Sequence, residues 1–147
     1  MATVFDVANW FLAKEPMTHK KLQKLCYYAQ AWSFALYDRP LFDDAFEAWI
    51  HGPVCRKLYD RYRGHSFEMI KASEPAPAFS VEDSELLESV WETYGNITAN
   101  ALEALTHSEM PWRNARAGCS DNAICTNVIS TQDMAEYYRS IYIGGDA

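Results

Sequence analysis

Apolar side chains recur every three or four positions along most of the chain, which is the spacing of one face of an α-helix. The first such stripe covers residues 4–14, between Thr3 as N-cap and Pro16, since the residue before a proline avoids the helical region. A longer stripe covers residues 19–37 after Thr18, and it is apolar around more than half of its circumference. Such a helix is usually central in a bundle.

The second half of the chain carries the same pattern in shorter segments. We predict helices near residues 54–63, 81–94, 99–107 and from 131 onward, with a helical turn at 111–116. Ser80 and Thr98 are the expected N-caps, and Gly95 is expected to close its helix in the left-handed conformation. Two prolines make residues 72–79 a loop, and residues 119–129 fit no pattern.

One segment alternates in the manner of a strand rather than a helix. Residues 46–50 alternate large apolar and other side chains, and residues 67–70 are the candidate partner strand. Gly52 and Pro53 are read as a turn that leads into the next helix. The predicted fold class is therefore mainly α: a single-domain, compact helical bundle over residues 1–147 with a short two-stranded β element near 46–50 and 67–70.

Composition and charge narrow the class of partner. The 147 residues are 49% hydrophobic and 14% aromatic, and the formal net charge is −7. An acidic chain gains little from counterion release on DNA or RNA, which argues against nucleic acid as the main partner and suits a basic protein better. The one basic cluster, residues 19–24, is interpreted as the solvated face of a helix. No apolar run has the length of a membrane span, so no membrane partner is expected.

Cysteine and histidine positions give no sign of a disulfide framework, a metal site or a cofactor. The four cysteines form no CxxC pair and we expect no signal peptide, so they are read as reduced thiols in a cytoplasmic protein. No two histidines have a recognised ligand spacing. The residues concerned are Cys26, Cys55, Cys119, Cys125, His19, His51, His65 and His107.

A catalytic constellation is also missing from the sequence, although three residues keep an enzyme among the alternatives. There is neither a Gly-x-Ser-x-Gly elbow nor a Gly-rich phosphate loop. His51 and Cys55 are four positions apart, but Gly52 and Pro53 between them make helical geometry doubtful. Cys55, Glu47 and His107 remain the residues that a small hydrolase could use, and we predict no catalytic site.

Polar and aromatic residues gather at two corners of the chain, and these are the candidates for binding a partner. The first corner has Trp49, His51 and Pro53, and the second has His107, Trp112, Arg113 and Arg116. Aromatic and arginine side chains are typical of interface hot spots. The alternative is structural, with Trp112 in the core and the arginines paired with Glu109 or Glu47. A buried arginine would then require an acidic partner.

The last predicted helix adds a tyrosine candidate, Tyr138, beside Tyr137 and Tyr142. This segment could dock on the core, bind a partner or swap into a second copy of the chain. The sequence leaves these alternatives open, and with them the existence of a homo-oligomer.

Five local strings, in order, resemble one known family. They are LQKLCYYAQAW at 22–32, RPLFD at 39–43, EAWIHGPV at 47–54, VWExYG at 90–95 and LTHxExPWxxAR at 105–116. Together they resemble the Panacea domain of SocA-like antitoxins and GepA-like phage-associated proteins, over roughly residues 5–118. Cys26 stands where an aliphatic residue is usual, and Ser33 stands where histidine is common.

The resemblance implies a protein that neutralises a cognate toxin by direct contact. One member of the family implies another route, in which the antitoxin is an adaptor that delivers its toxin to the ClpXP protease. The resemblance carries no catalytic activity. The sequence leaves three functions open, in order of preference: an antitoxin, a protease adaptor and an uncharacterised small enzyme.

Overall fold

A computed structural model of the protein describes residues 1–146, with side chains up to Tyr142. The elements, in chain order, are α1 (Val4–Lys14), α2 (His19–Tyr37), β1 (Glu47–Trp49), β2 (Gly52–Val54), α3 (Arg56–Tyr62), a 3₁₀ turn (Arg63–His65), α4 (Val81–Tyr94), α5 (Ala99–Ser108), α6 (Met110–Ala115) and α7 (Thr131–Asp146). The predicted fold class is confirmed: the chain is mainly helical and has one small two-stranded antiparallel sheet. None of the described helices is both long and apolar enough to cross a bilayer.

The predicted N-caps explain where four helices begin. Thr3 and Asp6 form a reciprocal capping box, in which the Asp6 amide donates to the Thr3 hydroxyl at 3.1 Å. Thr18, Ser80 and Thr98 each accept a hydrogen bond from the amide three residues later. Each such cap contributes about 1 kcal/mol to stability, and the signal is local, which is why the sequence reveals it.

Gly95 does not have the left-handed conformation predicted for it. Its φ is −61°, which lies in the ordinary helical region. A Cβ at this position would instead lie 2.7 Å from the Trp91 ring and 2.5 Å from the Trp91 carbonyl oxygen. Glycine is therefore needed here for space rather than for backbone conformation.

Helix α2 is the centre of the domain, as its wide apolar stripe predicts. Thirteen of its 19 residues are buried. It packs against α1, α4, α5, α7 and the β hairpin, so nearly every face of it is covered. Its most extensive contact is with α7, which docks on α2 within the same chain; of the three roles considered for the last helix, docking on the core is the one observed.

The buried polar residues of α2 hold the segment that follows it. The Gln30 side chain accepts from the amides of Leu41 (2.8 Å) and Phe42 (3.3 Å) and donates to the Phe42 carbonyl at 2.7 Å. Gln23 bonds to Cys55 in the same double manner, accepting at 2.9 Å and donating at 3.2 Å. Buried backbone groups must find partners, and these two amide side chains supply them.

The partner of β1 differs from the one predicted. Strand β2 pairs with β1 in antiparallel register, with Trp49 opposite Gly52, whereas residues 67–70 contribute only an isolated bridge between Ile70 and Met17. Residues 50 and 51 form a two-residue hairpin loop, so the chain returns directly on itself. The other edge of β1 is paired with residues 127–129 through two backbone bonds of 2.8 Å.

A buried carboxylate joins three helices at the core. Glu109, at the junction of α5 and α6, is 4% exposed and accepts hydrogen bonds of 2.8 Å from the hydroxyls of Tyr28 and Tyr138. The Tyr138 hydroxyl also lies 3.0 Å from that of Tyr27. Burial raises the pKa of Glu109. Glu109 therefore belongs to the core and does not pair with either arginine.

Candidate functional site

The β hairpin brings the two predicted corners into one place. The Trp112 indole donates to the Trp49 carbonyl at 2.9 Å, which joins α6 to the end of β1. The His107 ring stacks on Trp112 with centroids 4.0 Å apart, and burial lowers the pKa of His107. At the hairpin tip the His51 side chain is 74% exposed, with Nδ1 3.2 Å from the Glu103 carboxylate. We call this region the hairpin corner.

Gly52 and Pro53 are buried supports of the corner. Gly52 has φ +110°, and a Cβ there would lie 2.3 Å from the Lys24 Cε, so the position excludes any larger side chain. The Lys24 ammonium in turn donates to the Pro53 carbonyl at 3.3 Å. A lysine of α2 thus passes under the hairpin and holds it.

The basic cluster predicted to be solvated is partly buried. Lys24 is 1% exposed and His19 is 9% exposed, because the hairpin and α3 cover this face of α2. The pKa of Lys24 is lowered to about 7, mainly by burial and also by the nearby Lys20, while Glu103 opposes the change. The prediction of a solvated face is wrong for Lys24 because the pattern of α2 does not show how many elements pack on it.

Arg116 is buried without an acidic partner, contrary to the expectation. It is 5% exposed, and its guanidinium donates to the carbonyls of Ala48 (2.9 Å), Ser120 (2.8 Å) and Ala123 (2.8 Å). No carboxylate lies within 4 Å of it among the described side chains. The five donors of a guanidinium can be satisfied by carbonyl oxygens, whose dipoles offset its charge. Arg116 therefore fixes the 119–129 segment beside β1.

The residues considered for catalysis are engaged elsewhere. Glu47 accepts from Arg56 at 2.8 Å and from the Trp49 indole at 2.9 Å. Burial alone would raise the pKa of Glu47, but these hydrogen bonds outweigh it and lower the pKa. Cys55 is 1% exposed and burial raises the pKa of its thiol, while the ring of His51 turns to Glu103. The structure does not bring His51 and Cys55 together as a pair.

Three hollows surround the tip of the hairpin. The α2 hollow, of about 490 Å³, is bordered by Trp49, His51, Val54, Tyr59 and Phe67. The loop hollow, of about 400 Å³, is bordered by Trp49, Ile50, His51, Val54, Ile124 and Cys125. The polar hollow, of about 650 Å³, is bordered by His51, Glu103, His107, Arg113, Arg116 and Asp121. The tip is thus accessible from several sides at once.

Some of the predicted binding residues lie on the surface of the protein, and the others are buried. His51 and Arg113 are exposed, and Trp49 and His107 are partly so. Pro53, Trp112 and Arg116 lie buried under the same corner. Tyr138 is fully buried in the core with Glu109, away from the hairpin.

Two exposed apolar residues at the corner were missed by the sequence reasoning. Phe67 is 90% exposed beside the α2 hollow, and Ile124 is 88% exposed beside the loop hollow. Both lie in loops, where no periodic pattern distinguishes a surface residue from a buried one.

Comparison of the chain with known proteins identifies the family to which this helical domain, with its hairpin corner, belongs. Residues 22–113 match the family described as "Antitoxin SocA-like, Panacea domain", and because this is more than half of the chain, the protein belongs to that family. Among curated proteins it is similar to Antitoxin SocA of Caulobacter vibrioides (strain NA1000 / CB15N), with 30% identity over 146 residues, covering 84% of this chain and 78% of the relative. No solved structure matches the chain. The resemblance drawn from the five strings is confirmed.

Proposed function

We propose that this protein is an antitoxin that neutralises a cognate toxin by direct protein–protein binding in the cytoplasm. The observation that carries the proposal is membership of the SocA-like Panacea family, with a curated relative named as an antitoxin across most of both chains. That membership supports a role in a toxin–antitoxin system and favours binding over catalysis.

The hairpin corner supports the binding part of the proposal. It presents Trp49, with the Arg56 guanidinium 5.5 Å from its ring, beside the exposed His51. Aromatic and arginine side chains are enriched where protein interfaces concentrate their binding energy. Since buried hydrogen bonds fix the backbone beneath these side chains, little conformational entropy would be lost on binding.

The test is co-expression with the protein encoded by the adjacent gene. We expect that protein alone to arrest growth, co-expression to restore growth, and the pair to elute together on size exclusion. A harmless neighbour, or the absence of any complex, would contradict the proposal.

The half-life of the toxin in the same cells separates blocking from delivery to ClpXP. Under direct neutralisation the half-life is unchanged or longer when the antitoxin is present. A half-life that falls only in cells with active ClpXP would instead identify an adaptor.

A further inference from the structure

We propose that the toxin is held on two exposed apolar side chains, Phe67 and Ile124, on either side of the hairpin tip. We further propose that the toxin presents apolar side chains bordered by carboxylates. The inference rests on the proposed function, since it names the surface and the chemistry of the partner for that same binding. The two residues stand apart in sequence, and the fold alone places them beside one hairpin.

The α2 hollow and the loop hollow lie on the two sides of the β hairpin. Trp49, His51 and Val54 border both the α2 hollow and the loop hollow. Phe67 stands at the first hollow and Ile124 at the second. A partner that binds the hairpin tip would therefore contact both apolar side chains and could fill both hollows through one interface.

Exposed apolar residues scattered singly over a surface need no explanation, so the argument rests on their placement. Apart from Phe67 and Ile124, the described large apolar residue with the highest exposure beyond the first residue of the chain is Val81, at 76%. Val81 begins α4 and borders neither hollow. The two most exposed large apolar side chains of the described chain thus both lie at the hairpin corner.

Both side chains are carried by backbone that is held in place. The loop before Ile124 is fixed by the Arg116 guanidinium, which binds the Ala123 carbonyl at 2.8 Å. The turn that carries Phe67 is closed by a 2.8 Å bond from the Glu68 amide to the His65 carbonyl, with φ +51° at Ser66. A preorganised surface binds more tightly than one that must be ordered during binding.

The charges at the corner favour an acidic partner, although the chain as a whole is acidic. Two carboxylates there already have cations: Glu47 binds Arg56, and Glu103 binds Lys20 and His51. The exposed Arg113 has no carboxylate within 4 Å among the described side chains.

The polar hollow keeps an excess of one positive charge once the lysine paired with one of its acids is counted. Arg113 and the carbonyl-bound Arg116 border it with two acids, Asp121 and Glu103. Lys20 already pairs with Glu103, so only Asp121 remains to offset the two arginines. Lys24, under the hairpin, adds partial positive charge. Salt screens charges beyond about 10 Å, so a docking partner responds to this corner more than to the net charge of −7.

The apolar part is tested with three matched variants, Phe67→Ser, Ile124→Ser and the control Val81→Ser. The Kd for the purified toxin is measured by calorimetry, and thermal melting followed by circular dichroism checks that each variant folds. We expect Phe67→Ser and Ile124→Ser each to raise Kd roughly 10- to 100-fold. The double variant that carries both substitutions should abolish growth rescue. Val81→Ser should bind like the unmodified protein.

The outcomes separate the two proposals. If the unmodified protein binds the toxin but Phe67→Ser and Ile124→Ser bind equally well, the surface is wrong and the proposed function stands. If the unmodified protein does not bind the toxin at all, the proposed function fails first.

The charge part is tested by the salt dependence of the same Kd. We expect Arg113→Gln to weaken binding and to flatten its dependence on salt, because rim charges act mainly through electrostatic attraction. Lys14→Gln, which removes a charge of the same sign on α1 where it pairs with Glu88, should leave the salt dependence unchanged. An unaltered salt dependence for Arg113→Gln would overturn the acidic border of the toxin.

Discussion

Replacing Lys24 by methionine tests how a lysine can stay buried beneath the hairpin. The side chain is 1% exposed, and its ammonium makes one hydrogen bond, to the Pro53 carbonyl at 3.3 Å. Burial lowers the pKa of this group to about 7. A methionine has a similar length, keeps the apolar contacts of the chain, and removes the titration.

The sign of the effect follows from the protons bound in each state. Between pH 7 and pH 10.5 the unfolded chain keeps a proton on Lys24 that the folded chain has lost, so the free energy of unfolding rises with pH. The slope is at most about 1.4 kcal/mol per pH unit. The full difference across that window is therefore at most about 5 kcal/mol, and Lys24→Met should lack it.

The measurement is urea unfolding followed by tryptophan fluorescence at pH 7, 8 and 9. We expect the stability of the variant minus that of the unmodified protein to fall by roughly 1 kcal/mol per pH unit. Tyrosine and cysteine ionisations occur in both proteins and cancel in this difference. Lys57→Met, at a side chain that is 67% exposed, is the control and should give a flat difference.

A flat difference for Lys24→Met as well would refute the reasoning. It would show that Lys24 keeps an ordinary pKa when buried. The Pro53 carbonyl and its surroundings would then stabilise the charged Lys24 ammonium as well as water does.

Two further substitutions test the supports of the hairpin. Gly52→Ala forces a side chain into φ +110° and onto Lys24, so we expect a loss of roughly 2–4 kcal/mol in the free energy of unfolding, measured by urea titration; a loss below about 0.5 kcal/mol would contradict the close contact. Arg116→Met leaves the carbonyls of Ala48 and the following loop without their donor, so we expect a loss of about 3 kcal/mol and new proteolytic cleavage in residues 119–125. Resistance of that loop to protease in the variant would argue against Arg116 as its anchor.

The helices could be predicted because their signals are local. The bounds predicted for α2 agree with the structure, since the Thr18 cap and the repeat of apolar residues depend only on near neighbours. The order of the five strings was sufficient to identify the family. The sequence also singled out the two corners as candidates, but it could not show that a hydrogen bond from Trp112 to the Trp49 carbonyl joins them.

Elements that depend on distant contacts could not be predicted in the same way. The partner of β1 was assigned to residues 67–70, because a strand pattern does not name its partner. Gly52 and Pro53, which begin β2, were interpreted as a turn into the next helix. The buried Arg116 was expected to need a carboxylate, but residues 120–123 supply carbonyls instead. That loop had no pattern from which its position could be inferred.

The sequence by itself determined a mainly helical domain, its central helix, the caps and the family, because each rests on short-range order along the chain. Only the tertiary structure decided that Lys24 is buried and that Phe67 and Ile124 flank one hairpin. The physical reason is that burial and exposure depend on every element packed around a residue. Whether a polar residue in a helix is buried, or an apolar residue in a loop is exposed, is therefore decided only when the chain has folded.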